Sequence, residues 1–186
     1  MIDYKTFKKE HLTEWVDRSQ VAHKAAEELA MKEVKPSLRD KYKFKNVIMT
    51  LNGKQVEFKG ENEKKRDGDI YFTYDEAKKS FGKPNKDGWR LPTKEEFEAL
   101  IDGYTFVFDE DGEQGIFDNR LYLPAAGHRY YDGEVYDAGS ECRCWSSSFK
   151  DSTDEARILH FGPSWLEMDY CSRGYGLSVR LVRDVK

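Results

Sequence analysis

The chain has 186 residues, of which 35% are charged and 14% aromatic, and its formal net charge is -4 at pH 7. This length suits one domain, or one domain with an appendage. The small negative charge gives no electrostatic case for binding nucleic acid or an anionic membrane. No apolar run is long enough to span a membrane, and the polar N-terminus lacks the apolar core of a secretory signal. We therefore expect a protein with no membrane span that is cytoplasmic as synthesised.

The first predicted element is a long helix over residues 4–34. Its seam recurs at alternating steps of three and four and consists of Leu12, Trp15, Ser19, Ala22, Ala26 and Leu29. Pro36 ends the pattern, because the residue before a proline avoids the helical region. The sequence thus predicts a helical appendage over 1–40 and a second domain over 41–186. The helix either packs on its own domain or joins copies of the chain as a homo-oligomer, and both alternatives stay open.

A hairpin and two short helices are predicted next. Asn52-Gly53 separates two apolar segments within residues 44–58, and Asn-Gly is the strongest two-residue hairpin signal. Residues 73–76 and 93–96 each have the Thr-x-x-Glu pattern of a capping box, which marks the start of a helix. Each helix is expected to pack on a sheet through its apolar face.

Short strands and turns are predicted after residue 104. Asp132-Gly133 is a second hairpin signal. Residues 156–161 alternate, with Ile158 and His160 on one side and the apolar Leu159 and Phe161 on the other. Residues 177–182 also alternate and are predicted to form a strand with one buried face. Two helices followed by many short strands indicate the α+β class.

Most recognisable chemistries are missing from the sequence. It has no phosphate-binding loop and no dinucleotide fingerprint, and its four histidines do not have the spacing of zinc ligands. Residues 108–113 are acidic enough to suggest a structural calcium ion, although a solvated turn is the default. An odd number of cysteines (Cys142, Cys144 and Cys171) argues against a disulfide framework, but a link from either of the first two to Cys171 stays open. We predict no other metal and no cofactor.

Four motifs occur in a distinctive order. They are Gly-Trp-Arg-Leu-Pro at 88–92, continuing as a helix to 101, Leu-Pro-Ala-Ala-Gly at 123–127, Trp-Ser-Ser-Ser at 145–148, and Gly-Leu-Ser-Val-Arg-Leu-Val-Arg at 176–183. Together they resemble the formylglycine-generating-enzyme-like branch of the C-type-lectin-like fold. The resemblance covers about residues 68–184 and is greatest to the Gly-Trp-Arg-Leu-Pro paralogous domains of gut bacteria and the variable proteins of diversity-generating retroelements. It implies a C-type-lectin-like fold with two short helices packed on small antiparallel sheets.

The resemblance also implies a function. Most members of this branch bind a target and catalyse nothing, so we expect a non-catalytic recognition module. A retroelement-diversified or phage receptor-binding protein, associated with the virion, is the leading version. The oxidases of the branch hold copper with two cysteines near the C-terminus, and the spacing of Cys142, Cys144 and Cys171 does not match theirs. A copper-dependent oxidase and a structural subunit that assembles through the N-terminal helix remain as alternatives.

The candidate binding surface lies between the motifs, within residues 149–175. The motif residues are interpreted as scaffold, with Arg180 buried in a hydrogen-bonded network because an unpaired buried charge is costly. Aromatic rings, hydroxyl groups and a few charges are typical of surfaces that bind a protein or glycan target, such as one on a cell surface. The predicted ligand-binding residues are Arg157, Ile158, His160, Ser164, Trp165, Glu167, Asp169, Tyr170, Ser172, Arg173 and Tyr175. An ordinary core tryptophan is the alternative interpretation of Trp165.

Overall fold

The computed structural model describes residues 45–149 and 154–185. These residues are mainly β, with 45% in strands and 13% in two short helices, so the predicted α+β class is wrong. The two helices are short and lie before residue 104. Every element after that residue is a strand, so strands dominate the described fold. The predicted helix over 4–34 and the appendage over 1–40 lie outside the described residues. Within the described part, no helix is long and apolar enough to cross a membrane.

Thirteen elements occur in the described residues. The helices are α1 (Tyr74–Phe81) and α2 (Lys94–Gly103). The strands are β1 (Val47–Leu51), β2 (Lys54–Phe58), β3 (Phe106–Asp109), β4 (Gln114–Phe117), β5 (Leu121–Pro124), β6 (Ala126–Arg129), β7 (Val135–Ala138), β8 (Cys142–Phe149), β9 (Glu155–Gly162), β10 (Trp165–Ser172) and β11 (Val182–Asp184).

The strands form three sheets. Two have three strands each, in the orders β1-β2-β11 and β3-β4-β5, and the largest has the order β10-β9-β8-β6-β7. Its pairings are antiparallel except between β6 and β8, where Gly127 pairs with Cys142 in parallel. This five-stranded sheet carries the residues that matter for the candidate site.

The local signals in the sequence are confirmed at the first hairpin and at both helices. Asn52 and Gly53 have φ angles of 50° and 75°, as the tight turn between β1 and β2 requires. The Thr73 and Thr93 side chains each accept a hydrogen bond from the third helical residue, and the glutamate there bonds back to the threonine backbone. Each helix therefore begins where its capping box predicts.

The predicted strand over 177–182 is wrong. Leu177 and Ser178 make isolated bridges to Phe72 and Cys144, and a regular strand begins only at Val182. Every residue from 177 to 182 is buried, so the alternation in the sequence does not separate a buried side from an exposed side. The segment is an extended, irregular piece of the core.

The predicted burial and pairing of Arg180 are confirmed. Its side chain is 1% exposed and donates hydrogen bonds to the Asn62 side chain and to the backbone carbonyls of Lys59 and Gly60. Burial lowers the pKa of this arginine to about 10. The guanidinium thus holds the loop at 59–62 against the irregular segment.

Two hydrophobic clusters pack on opposite faces of the five-stranded sheet. The first joins α2, the two smaller sheets and one face of β8 and β9, including Cys144, Leu159 and Phe161. The second joins α1 and the segment 177–181 to the other face, including Trp145 and Ile158. We call the face that packs on the first cluster the inner face and the opposite one the outer face.

Candidate binding surface

The register of the β9–β10 hairpin distributes the predicted site residues over the two faces of the sheet. His160 pairs with Glu167, and Arg157 pairs with Tyr170. Because successive side chains of a strand point to opposite faces, His160 and Glu167 lie on the outer face, whereas Arg157 and Tyr170 share the inner face with Leu159. The predicted residues therefore do not form one continuous surface.

Two corrections follow for the inner face and the core. Ile158 is only 1% exposed and belongs to the second hydrophobic cluster, so it cannot contact a ligand. It packs there because it pairs with the fully buried Trp145. The Arg157 guanidinium lies 3.7 Å from the centre of the Tyr170 ring, and these two residues form a pair apart from the outer face.

Trp165 is a surface residue rather than a core tryptophan. It is 37% exposed and begins β10 directly after the exposed turn residue Ser164. Its indole lies over Gly162, where any side chain would collide with it, and meets His160 edge-on with ring centres 6.0 Å apart. The tryptophan ring is thus held beside the outer-face residues.

The residues that follow β10 connect the hairpin to other elements. Arg173 pairs with Asp75 at the start of α1 and lies 5.4 Å from the centre of the Tyr74 ring. The Ser172 hydroxyl is hydrogen-bonded to that of Tyr131. Ser172 and Arg173 therefore contact the β6–β7 hairpin and α1, and they do not form a separate loop surface.

A cluster of aromatic rings, which we call the tyrosine cluster, lies around the β6–β7 hairpin. Its members are His128, Tyr130, Tyr131, Tyr136 and Tyr175. Tyr175 stacks on His128 at 5.6 Å between ring centres and meets Tyr130 and Tyr131 at 4.8 Å each. Three of the tyrosines are exposed: Tyr130 by 41%, Tyr131 by 63% and Tyr136 by 43%.

Sequence reasoning found only Tyr175 of this cluster. The signal it overlooked was three tyrosines within seven residues around the Asp132-Gly133 turn, whose hairpin is confirmed. A hairpin tip is exposed, so aromatic side chains there cannot all be buried. The contact with Tyr175 could not be read from sequence, because it depends on the path of the chain after β10.

Burial disfavours the charged forms of two members of the tyrosine cluster, Tyr175 and His128. Partial burial, followed by the hydrogen bond with Tyr130, raises the pKa of Tyr175 to about 12. Burial, with the nearby Arg143 charge, lowers the pKa of His128 below its ordinary 6.5. The cluster thus offers aromatic faces and phenol hydroxyl groups to a ligand.

A charged network continues from the tyrosine cluster along the outer face. The Glu141 carboxylate lies 3.0 Å from the Arg143 Nη2 and 3.1 Å from the His160 Nε2. Asp137 Oδ2 lies 3.6 Å from Arg143 Nη2 and 3.4 Å from His128 Nδ1. Partial burial alone would raise the pKa of Glu141, but hydrogen bonds from His160 and Arg143 lower it.

These features together form one partly exposed surface, which we call the open face. It consists of the tyrosine cluster, the network of Asp137, Glu141, Arg143 and His160, and the side chains of Trp165, Glu167 and Asp169. Aromatic rings at one end and charged groups at the other give it stacking surfaces, hydrogen-bond donors and hydrogen-bond acceptors. Such a surface is suited to binding, because it offers both contact area and orientation.

The chain matches no family model, no curated protein and no solved structure. The resemblance described above therefore stays a prediction, and the function has to be argued from the open face.

The predicted calcium turn does not gather ligands. Asp109 is 1% exposed and its carboxylate accepts a hydrogen bond from the Gln114 amide at 3.1 Å, so it belongs to the interior. Across residues 45–149 and 154–185, three metal-ligand side chains come together only at His160, Glu167 and Asp169.

The cysteines are buried free thiols. Cys142 and Cys144 belong to the first hydrophobic cluster and Cys171 to the second, so a link to Cys171 would have to cross the sheet. Burial raises the pKa of Cys144 and of Cys171 to about 11 each. These thiols stay protonated at pH 7, and a protonated thiol is a poor metal ligand and a poor nucleophile.

Proposed function

We propose that the protein is a non-catalytic binding module that recognises a protein or glycan target through the open face. The observation that carries this proposal is the tyrosine cluster: four tyrosines and a histidine in mutual ring contact, with three of the rings exposed. Exposed apolar residues are ordinary when scattered, but a contiguous group marks an interaction site.

The chemistry of the exposed side chains supports recognition. Tyrosine and tryptophan supply large contact areas with few rotatable bonds, and they dominate the energetics of many binding sites. Trp165 lies at the far end of the same face, beyond the charged network. A target that reached from Tyr131 to Trp165 would contact aromatic rings at each end and charged groups between them.

The rings are also held in place before any target binds. Tyr131 lies over Gly174 and is hydrogen-bonded to Ser172, while the Tyr136 hydroxyl donates to Asp132 Oδ2 at 2.9 Å. Fixing side chains in advance reduces the conformational entropy that binding would otherwise cost. A preorganised aromatic surface is therefore suited to affinity as well as to contact.

The burial of the three cysteine thiols does not support the alternative of a copper-dependent oxidase. Cys142 and Cys144 are 1% exposed and Cys171 is 6% exposed, so copper and oxygen would have no direct access to their sulfur atoms. The alternative of a structural subunit depends on the helix predicted over 4–34, outside the described residues. Light scattering of the full chain against a chain starting near Lys41 tests that alternative, and the same number of chains per particle in both would contradict it.

The more specific version of the proposal is a retroelement-diversified or phage protein whose target lies on a cell surface. It is supported by the resemblance of the four motifs and by the hairpin frame, on which side chains of the open face can vary without changing the core. A neighbouring reverse-transcriptase gene with a near-copy of the 3′ end that differs at adenines is the genomic arrangement this version requires.

The direct test is a binding screen of the full chain on arrays of glycans and of cell-surface protein ectodomains. The double variant Tyr131→Ala/Trp165→Ala should lose about 30-fold or more in affinity for any target that the wild type binds, which corresponds to about 2 kcal/mol. Ile48→Ala is the matched control, because Ile48 is 46% exposed on β1 in another sheet. Equal affinity of the double variant and the wild type, or no saturable binding to any target, would contradict the proposal.

A further inference from the structure

Three side chains with metal-binding groups meet at the end of the open face. His160 and Glu167 are directly opposite each other in the β9–β10 register, and Asp169 lies two residues further along β10 on the same face. One ligand atom from each of the three lies within 4.8 Å of the other two. The hairpin itself brings them together, so no loop has to move to form the group.

The His160 imidazole is oriented by a second carboxylate. Its Nε2 lies 3.1 Å from Glu141 Oε2, and Arg143 holds the same carboxylate at 3.0 Å. Because an ionised carboxylate can only accept hydrogen bonds, Nε2 carries a proton, and Nδ1 is the nitrogen left to bind a metal ion. A carboxylate on the far nitrogen is the usual way in which proteins orient a metal-binding histidine.

The second nitrogen of His160 has no hydrogen-bond partner among the described residues. Nδ1 is shielded from solvent, and Asp169 Oδ2 lies 3.6 Å away, too far for a hydrogen bond. A buried nitrogen without a hydrogen bond therefore lies beside the Asp169 carboxylate. A metal ion between the Nδ1 nitrogen and this carboxylate would bind both groups.

We propose that His160, Glu167 and Asp169 bind a divalent transition-metal cation of the Zn²⁺ class. One imidazole nitrogen with two carboxylates suits such ions, whereas calcium and magnesium prefer oxygen ligands alone. The 3.6 Å between His160 Nδ1 and Asp169 Oδ2 is close to the ~3.4 Å between two ligands of a tetrahedral zinc ion with bonds of about 2.1 Å. Glu167 is exposed and can complete the group by a rotamer change.

Three protein ligands leave the fourth position of the ion open. That position lies on the open face, beside the edge-on pair of His160 and Trp165. The inference goes beyond the proposed function and does not rest on it, because an ion binds here whether or not the open face recognises a target. Its spacing along the chain, His-x6-Glu-x-Asp, matches none of the short zinc patterns, which is why the sequence did not predict it.

The test is calorimetric titration of metal-free full-length protein with ZnCl₂, together with nitrogen NMR of the histidine rings. Saturable binding should fall about 10-fold or more in His160→Gln and in Asp169→Asn, and about 10-fold in Glu141→Gln, which removes the carboxylate that orients the ring together with its ion pair to Arg143. Asp102→Asn, an exposed carboxylate on α2, is the matched control and should bind as the wild type does. Zinc should shift the Nδ1 resonance of His160 and leave its Nε2 proton in place.

Either of two results would overturn the proposal. One is equal zinc affinity in the wild type and in His160→Gln, which would place the binding elsewhere, including at His11 or His23. The other is an NMR spectrum in which both His160 nitrogens carry protons and do not respond to zinc, which would show an imidazolium shared between Glu141 and Asp169. Circular dichroism of each variant confirms that it is folded, so a loss of binding is not confused with unfolding.

Discussion

The outer face of the five-stranded sheet has two halves, one covered by other elements and one partly exposed to solvent. In the half around Trp145 and Ile158, apolar side chains are covered by α1 and the segment 177–181. In the half around His160, the paired residues Arg143 and Glu167 are polar, and no element of the described residues covers them completely. One backbone frame therefore supports a sealed core and an open binding surface, and the side chains alone decide which half is which.

This difference in covering predicts that the covered half contributes most of the stability and the exposed half contributes the binding contacts. Burial of apolar area stabilises the fold roughly in proportion to the area removed from water, so the covered half should dominate stability. The open face adds little buried area and retains groups that a target can contact. Substitutions in the two halves should thus have separable effects.

Two tryptophans give the largest expected contrast. Trp145 is completely buried and its Nε1 donates to the Phe72 carbonyl at 2.7 Å, so Trp145→Ala should lower the free energy of unfolding by about 3–5 kcal/mol. Trp165→Ala should lower it by about 1 kcal/mol or less, because the ring is on the surface. Urea denaturation monitored by circular dichroism measures the free energy of unfolding of both variants. Equal decreases in the two variants would contradict the division into a covered and an exposed half.

Arg180 sharpens the comparison within the covered region. Arg180→Leu removes the donors to Asn62 and to the carbonyls of Lys59 and Gly60, and leaves buried acceptors without partners. We expect a loss of about 3 kcal/mol in the free energy of unfolding. The control Arg183→Leu breaks a partly exposed ion pair with Glu57 and should cost about 1 kcal/mol or less. An Arg180 variant as stable as this control would show that the buried network is dispensable.

Gly174→Ala tests the preorganisation of the tyrosine cluster. The added methyl group would collide with the Tyr131 ring, so the ring must move at a cost of about 1 kcal/mol, the low end for overpacking. Near-ultraviolet circular dichroism should change with it. Gly103→Ala, where a methyl group meets open space at the end of α2, is the control: it should not lower stability and should leave the tyrosine signal unchanged. An unaltered tyrosine signal in Gly174→Ala would mean that the rings are not held.

The smallest expected effect is the pH dependence at the border of the tyrosine cluster. Arg129 Nη1 lies 2.7 Å from Asp69 Oδ2. Partial burial alone would raise the pKa of Asp69, but the hydrogen bonds from Arg129 and from the Tyr71 backbone lower it below 3.8. A lowered pKa in the folded state stabilises the protein above pH 3.8, and this contribution is lost as the pH falls through the folded-state value.

The variant Asp69→Asn measures that contribution. At pH 7 it should be less stable than the wild type by about 1 kcal/mol or less, and the difference should shrink as the pH falls below 3.8. Thermal denaturation across this pH range gives the comparison. A difference that stays constant from pH 7 to pH 3 would mean that the ionised carboxylate is not the cause.

The sequence predicted what is determined locally. Asn52-Gly53, the two capping boxes and the alternation of residues 156–161 each specify their own element within a few residues, and each is found where it was predicted. The class was wrong because two short helices were given too much weight against a long series of strands. The strand predicted over 177–182 was wrong because every residue of this segment is buried, so alternating residue types do not indicate one buried and one exposed face.

The candidate site was harder to predict because it depends on register. The β9–β10 register decides that His160 meets Glu167 and Asp169. The elements packed on the outer face decide that Ile158 is covered while His160, on the same face, stays partly exposed. Ile158 was placed on the surface because its covering by α1 and the segment 177–181 has no local signal in the sequence. The meeting of Tyr175 with His128, 47 residues earlier in the chain, has no local signal at all.

Hydrogen exchange of the full chain, with and without a target identified on the arrays, tests the central claim most directly. If the open face binds the target, amide protection should increase in the β6–β7 hairpin and along β9 and β10, while β1, β2 and β11 exchange as before. Protection confined to the β1-β2-β11 sheet, with the two hairpins unchanged, would contradict the account.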